Sequence, residues 1–424
     1  QELKGNASKR EQAYIEAMAK RYPKEPVEDR SKLDQAFADA MGELAEKYPD
    51  DDDAQTIYAE ALMDTMPWQY WERDKQPKEA TKKLIAALER VLERNPNHPG
   101  ANHYYIHAVE AVAPQKALAA ADRLTKLAPS AGHLVHMPAH IYLRLGLYNE
   151  ATKQNELAST ADESYIAQCN AQGFYPAAYY PHNLHFIWYN AAMEGRSQQS
   201  IDAARKISDR SHHHEMGEMD RLRPLILMAL ARFGKWDEIL KQPRPEQQGT
   251  FEAAISHYAR GLAHAAKGQV DEAKRELAGL EKLAADEKSK SFDSPILPGG
   301  AIVKMSRHDL AGHIALAQEK YDQAIEELRK AVEIEDQMPY MEPPFSYFPM
   351  RHGLGAALLK AGKPAEAEQV YREDLKRNPH NGWALLGLVQ ALKAQDKNDV
   401  AAEVQERLDL VWMRADHKAV SSRY

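Results

Sequence analysis

The sequence has little cysteine, no long apolar run and no basic tract, and each absence excludes a class of protein. Cys169 is the single cysteine among 424 residues, which rules out an internal disulfide and a cysteine-based zinc or iron–sulfur site. No stretch approaches the ~18 apolar residues of a membrane span. The formal net charge is −8 and no Lys/Arg-rich segment is present, which argues against nucleic acid or anionic membrane as main partners.

Strand-like alternation of apolar and polar residues is almost absent, and Pro-rich segments read as loops between helices. These segments lie at 22–29, 241–249, 291–300 and 337–349. The last two are long and apolar, and long loops inside a helical array often cover a binding face. We therefore expect the loops at 291–305 and 337–349 to close over a groove.

The length and the first residues of the chain bound its architecture and leave its compartment open. Single cores stop growing near ~250–300 residues, so a chain of this length needs an extended architecture or several domains. The sequence opens at Gln1 with a polar segment and shows no signal peptide. Either the protein is cytosolic or these residues follow a removed leader, and cytoplasm and periplasm both remain possible.

A helical stretch that ends in a small-residue turn, followed by a helix that starts with acidic residues and alanine, recurs along the chain. Copies stand at 142–158, 230–240, 264–277, 316–335 and 358–379. This pattern resembles the tetratricopeptide repeat, a pair of antiparallel helices of ~34 residues. We predict an all-α fold, a right-handed superhelix (a TPR-like α-solenoid) of about eight to ten helix pairs.

We expect this solenoid to be one domain over 1–424. Within it, N-terminal helical pairs occupy 1–94, histidine-rich central repeats occupy 95–215, and C-terminal repeats occupy 216–424. The sequence does not indicate an oligomeric state.

Histidines recur at a fixed distance before the turn glycines. His136 lies ten residues before Gly146, and His133 lies thirteen before it. His185 and His182 stand at the same two distances before the next turn glycine. The two His-x-x-His pairs therefore occupy the same register in successive repeats.

The repeat upstream carries His103 and His107 four residues apart, with Glu110 three further on, and His140 follows His136 by one turn of the same predicted helix. Residues three or four apart share a helix face, and the first helices of successive pairs line the concave surface of a solenoid. We therefore expect these imidazoles to converge. The predicted metal ligands are His103, His107, His133, His136, His140, His182 and His185, with Glu110, Glu60 and His352 as weaker candidates.

Imidazole ligands without thiolate favour copper, with zinc or iron as further possibilities. Six histidines on paired helices would suit two ions with three imidazoles each, an arrangement suited to oxygen-handling chemistry and to a metal-dependent oxidoreductase. Two alternatives remain open. The histidines could form a stacked core, or they could line the concave groove of a non-catalytic scaffold that takes a peptide or a small molecule.

Other histidines carry a weaker signal. Three consecutive histidines in 211–220 cannot share one helix face, so we interpret this segment as an exposed loop. His257 and His264 are expected to be structural. The sequence contains no nucleophile elbow, phosphate loop, Gly-rich dinucleotide turn or His-Glu-x-x-His motif.

Four blocks, at 95–111, 128–151, 179–189 and 371–388, resemble a family of bacterial tetratricopeptide-repeat proteins, and the resemblance extends over most of residues 8–415. It implies the repeat fold, and it implies that the histidine blocks belong to the family pattern. It implies no reaction. Members typically have a further N-terminal repeat region before the segment found here at 10–18, so we expect this chain to be a short form or a processed fragment.

Overall fold

The computed structural model describes residues 4–211, 221–294 and 297–423. Over these residues the chain is almost entirely α-helical, and it divides into two compact units, Gln1–Ile141 and Tyr142–Tyr424. None of the described helices is both long and apolar enough to cross a membrane. The histidine tract at 212–214 lies outside the described residues, so its predicted loop is not addressed.

The first unit is a succession of short helices. They are α1 (Lys9–Arg21), α2 (Ser31–Lys47), α3 (Asp52–Asp64), α4 (Glu79–Arg94), α5 (Pro99–Val109), α6 (Leu118–Leu127) and α7 (Gly132–His136), with 3₁₀ turns at Lys4–Asn6 and Pro114–Ala117. Local signals fix several of their starts. Ser8 and Glu11 form a capping box before α1, and the Asp51 side chain accepts a hydrogen bond from the amide of Ala54 at the start of α3. The boundary between the units falls within α8 (Pro138–Arg144).

The second unit contains the remaining helices and one small hairpin. The helices are α9 (Tyr148–Cys169), α10 (Phe174–Met193), α11 (Ser197–Ser211), α12 (Leu225–Arg232), α13 (Trp236–Lys241), α14 (Phe251–Ala266), α15 (Val270–Ala284), α16 (Asp286–Lys290), α17 (Gly299–Ala317), α18 (Tyr321–Gln337), α19 (Met350–Lys360), α20 (Pro364–Arg377), α21 (Gly382–Lys393) and α22 (Asn398–Val411). The prediction of a loop over 291–300 is partly wrong. Here β1 (Asp293–Ser294) pairs antiparallel with β2 (Leu297–Pro298), and α17 begins directly after them.

Neighbouring helices pack in pairs along each unit, as the repeat pattern predicts. In the first unit α1 packs on α2, α3 on α4 and α5 on α6. In the second unit the pairs are α10–α11, α12–α13, α14–α15, α17–α18, α19–α20 and α21–α22. The described residues therefore contain nine such pairs besides the segment α7–α9, and the predicted all-α architecture is confirmed.

The turn glycines that define the histidine register adopt a backbone conformation that side chains rarely reach. Gly146 has φ 74° and Gly195 has φ 70°. A Cβ on Gly146 would also lie 2.1 Å from the carbonyl oxygen of Pro379. Both positions end a helix in the left-handed region, which favours glycine because it has no Cβ.

The histidine-rich segment before Gly146 is not one helix. The helix α7 ends at His136 and α8 begins at Pro138, so the prediction that His136 and His140 share a continuous helix is wrong. Pro138 has no amide hydrogen to donate to the preceding turn, which interrupts the helical hydrogen bonding although Met137 keeps helical backbone angles of φ −52° and ψ −38°.

A buried ion cluster near the end of the second unit ties the C-terminal segment to α17. The Tyr258 hydroxyl donates to Asp309 Oδ2 at 2.6 Å, and Arg423 Nη2 lies 3.5 Å from the same oxygen. The Arg423 guanidinium also stacks 3.6 Å from the ring centroid of Phe348. Burial acts to raise the pKa of Asp309, but His313, Arg423 and Tyr258 outweigh it and hold that pKa below its ordinary value.

Replacing Arg423 with leucine is expected to lower the free energy of unfolding of the second unit by about 3 kcal/mol, because the Asp309 carboxylate would lose its buried cation. Urea denaturation followed by tryptophan fluorescence measures this, since four of the six tryptophans belong to the second unit. The control is Lys418→Leu on the exposed part of the same segment. Equal stabilities for the two variants would contradict the expectation.

Candidate metal centre

Five of the predicted ligands lie in the first unit and come from three short helices. His103 and His107 stand on α5, one turn apart, and His133 and His136 stand on α7. His140 lies on α8. The α5 helix begins with Pro99 after His98, whose Nδ1 accepts a hydrogen bond from the amide of Ala101 at 3.1 Å. Its start is therefore fixed, and the two α5 histidines are presented on one face.

The first close pair of imidazoles joins α5 to α7. His103 Nε2 lies 3.1 Å from His133 Nε2, and the two rings are nearly perpendicular at 89°. The His107 ring lies 5.0 Å from the His103 ring. One nitrogen from each of these three histidines lies within 4.8 Å of the others, so the three could share a metal ion.

A second close pair joins α7 to α8 across the break at Met137. His136 Nε2 lies 2.9 Å from His140 Nε2, with the rings at 84°. The two pairs are neighbours, because the His133 and His136 rings stack at 6.1 Å. Both members of this second pair are buried.

The carboxylate of Glu110 connects His107, the third histidine beside the first pair, to the second pair. Glu110 follows the last residue of α5 and is 3% exposed. Its Oε1 lies 3.3 Å from Nδ1 of His107, and its Oε2 lies 2.9 Å from Nδ1 of His140. Each carboxylate oxygen therefore faces the Nδ1 side of one ring, which leaves Nε2 of that ring for another partner.

Burial and neighbouring charges set the protonation states of this cluster. Burial is the main cause that lowers the pKa of His103 well below its ordinary value and that of His133 to about 3, and neighbouring imidazoles add to the effect. Burial acts in the opposite sense on Glu110, but His140 and His107 outweigh it and lower the pKa of that carboxyl. At neutral pH His103 and His133 are thus neutral, the state in which histidine binds metals, and the Glu110 carboxylate is negatively charged.

Two chemical arrangements explain imidazole nitrogens at such short distances. One nitrogen can donate its hydrogen to the other, or both can bind one metal ion. Metal–nitrogen bonds of ~2.0–2.1 Å in a tetrahedral site place two ligand nitrogens roughly 3.3 Å apart. The observed 3.1 Å between His103 and His133 fits this value. Metal-binding histidines also commonly donate their second nitrogen to a carboxylate, which is the position of Glu110.

The other two strong candidates lie in the second unit. His182 and His185 stand on α10, where the His182 ring packs edge-on against Phe186 and the His185 ring stacks on Trp188. The expectation that these two histidines share metal ions with those of α5, α7 and α8 stays a prediction.

Two of the weaker candidates have other partners. Glu60 on α3 faces Arg21 and Asp64, and burial together with the Asp64 charge raises the pKa of Glu60 to about 7. His352 on α19 is fully buried, with Nε2 3.0 Å from Asp374 and Nδ1 3.1 Å from Arg232. Both of its ring nitrogens are engaged, so we do not include His352 in the proposed site.

Sequence reasoning missed the central position of Glu110, which it ranked among the weaker ligands. The available signal was its spacing of three residues from His107 on the same helix, the spacing at which side chains meet. Nothing in the sequence near His140 indicated that this ring would approach the other oxygen of the same carboxylate. That contact depends on how the segment after Pro138 turns.

Two sequence profiles match the C-terminal half of the chain. The one described as tetratricopeptide repeat matches residues 358–411, and the one described as SHNi-TPR matches residues 308–338. The chain carries tetratricopeptide repeats. The first match covers α20, α21 and α22 with the end of α19, and the second covers α18 with the C-terminal part of α17. A search among curated proteins finds no match.

Solved structures similar to this repeat protein include yeast Tom70, with 12% identity, 95% of this chain and 94% of that chain covered, and a TM-score of 0.31. The human IFIT1 dimer with m7Gppp-AAAA has 14% identity, 90% and 78% coverage and a TM-score of 0.37. The APC/C hetero-tetramer Cut9-Hcn1 has 10% identity, 97% coverage of both chains and a TM-score of 0.30. Similarity at this level transfers no property to this chain.

Replacing Glu110 with glutamine is expected to loosen α5 in metal-free protein, because the amide keeps only one of the two oxygens that face His107 and His140. Amide hydrogen exchange in residues 99–109 should become roughly tenfold faster or more, the effect of leaving one buried donor unpaired. Mass spectrometry of peptic fragments measures this. Glu93→Gln, at an exposed position of α4, is the control, and unchanged exchange in both variants would contradict the role of the carboxylate.

Proposed function

We propose that the first unit of this tetratricopeptide-repeat protein binds a transition metal ion through His103, His107 and His133. The observation that carries the proposal is the 3.1 Å separation of two Nε2 atoms beside a third imidazole, all within reach of a single ion. Glu110 supports the proposal because its carboxylate faces Nδ1 of His107 and would hold that ring with Nε2 toward the metal.

The second imidazole pair, His136 and His140, supports a second ion near the first. Its two Nε2 atoms are at a distance similar to the first pair, and Glu110 faces Nδ1 of His140 as it faces that of His107. Two imidazoles leave such an ion short of ligands. The register of His182 and His185 in the sequence predicts that they supply the rest, and this stays a prediction.

The donor set favours copper. Imidazole nitrogen is a good ligand for copper and zinc, whereas iron and manganese usually take carboxylates as well. Zinc and iron are the other candidates. The carboxylate ligand that iron usually takes could come from Glu110, if one of its oxygens bound the ion instead of a histidine. If copper is bound, its redox chemistry makes an oxygen-handling oxidoreductase the proposed activity.

A binding scaffold is the second candidate function. Tetratricopeptide repeats commonly bind peptides or other proteins, and neutral imidazoles can also satisfy each other by hydrogen bonds, as the 2.9 Å separation of His136 and His140 allows. In that case the groove would take a peptide or small molecule and the histidines would only line it. The two functions differ in one property, because only the first requires a bound metal.

Metal affinity of single variants tests the proposed ligands. His103→Ala and His133→Ala should each weaken copper or zinc binding by about a hundredfold, since a four-ligand zinc site is worth ~10–16 kcal/mol in total. Glu110→Gln should weaken it by roughly ten- to a hundredfold through the orientation of His107. Competition with a chromophoric chelator measures these affinities on protein without a histidine tag.

His264→Ala is the matched control, because His264 lies on α14 and forms a hydrogen bond with Gln269 instead of another histidine. Equal affinities for this control and for His103→Ala would contradict the site. The double variant His182→Ala/His185→Ala tests the contribution of the second unit. It should lower the number of bound ions if these residues are ligands, and an unchanged number would exclude them.

A further inference from the structure

A pocket in the second unit is formed without any residue of the histidine cluster on α5, α7 and α8. It has a volume of about 120 Å³ and lies among α10, α12, α14, α17 and the loop at 338–349. Its walls are mainly apolar and include Leu225, Phe251, Ile302, Phe345 and Tyr347. Both segments that the sequence predicts to close over a groove, 291–305 and 337–349, contribute wall residues.

His185 is a polar group in the wall of this pocket that has no hydrogen-bond partner among the described residues. Its ring stacks on the buried Trp188, with ring centroids 5.4 Å apart, and no hydrogen bond joins it to any residue of the described ranges. An imidazole ring carries two nitrogen atoms that can hydrogen-bond, and here both are available to a molecule in the pocket.

The charged groups at the pocket wall are already engaged. The guanidinium of Arg221 donates to the carbonyl oxygen of Phe292. Glu342 is buried, accepts a hydrogen bond from the Tyr340 hydroxyl, and has Arg144 Nε 3.8 Å from its Oε1. The wall therefore carries one positive and one negative group, which favours an uncharged occupant because a net charge there would stay uncompensated.

We propose that this pocket binds a small neutral molecule consisting of one aromatic ring with a hydroxyl group, and that the hydroxyl hydrogen-bonds to His185. An apolar cavity of ~150 Å³ is known to hold benzene, so the space here suits one six-membered ring. Three aromatic side chains in the wall, Phe251, Phe345 and Tyr347, offer ring contacts. This inference concerns protein that holds no metal ion on His185, and it does not require metal binding by His103, His107 and His133.

Phenol and toluene are the probes, because they have similar size and differ in the hydroxyl group. With chelator-treated full-length protein, calorimetric titration should show phenol binding about tenfold more tightly than toluene, the value of one hydrogen bond to an otherwise unpaired group. His185→Leu should remove this preference by weakening phenol binding about tenfold while toluene binding stays within about threefold. His264→Leu is the matched control and should retain the preference.

A second measurement on the unaltered protein protects the test against misfolding of the leucine variant. Addition of phenol should shift the imidazole nitrogen resonances of His185, assigned by comparison with His185→Gln, and toluene should shift them less. Absence of binding by both probes would overturn the proposal. So would a phenol preference that survives in folded His185→Leu, or phenol binding that leaves the His185 resonances unchanged.

Discussion

The buried carboxylate of Glu110 is the constraint on which the histidine cluster depends. A carboxylate at 3% exposure is costly unless it is paired, and its two partners are the Nδ1 atoms of His107 and His140. These contacts fix which edge of each ring faces away from the carboxylate. The Nε2 atoms of these two rings are then left for other imidazoles or for an ion. This makes the group of histidines a candidate metal centre.

The repeat architecture supplies the positions that this constraint needs. The α5 and α7 helices both carry histidines three or four residues apart, and residues at this spacing lie on the same face of a helix. Burial of the rings by the surrounding helices lowers the pKa of His103 and His133, so protons compete weakly with a cation at neutral pH. Packing of the repeats thus places the ligands and also sets their protonation state.

Much of the fold could be predicted from the sequence, because it follows from local and periodic signals. Helices that begin with acidic residues and alanine, and turn glycines such as Gly146, recur with the repeat. The left-handed backbone at those glycines explains why they are a reliable reference for the positions of the histidines. The approach of His103 to His133 is expected only in general terms, from the place of both residues on consecutive first helices of the repeat. The division of the chain between Ile141 and Tyr142 had no counterpart in the sequence pattern.

The details of the site depend on contacts that periodicity does not contain. Pro138 interrupts the helical segment that carries His136 and His140, and these two rings, four residues apart, have their Nε2 atoms 2.9 Å from each other. His352 also lies ten residues before a turn glycine, as His136 does. Its ring nitrogens nevertheless contact the charged side chains of Asp374 and Arg232 instead of other histidines. Register therefore predicts where a side chain stands, whereas its partners decide what it can bind.

The most direct test of the account is elemental analysis of protein purified without a histidine tag, before and after loading with copper, zinc or iron and removal of excess metal. A centre built on the histidines around Glu110 predicts roughly one or two tightly held ions per chain. A metal content well below one ion per chain after every loading would contradict the metal centre. It would favour a binding scaffold whose histidines only form hydrogen bonds with each other.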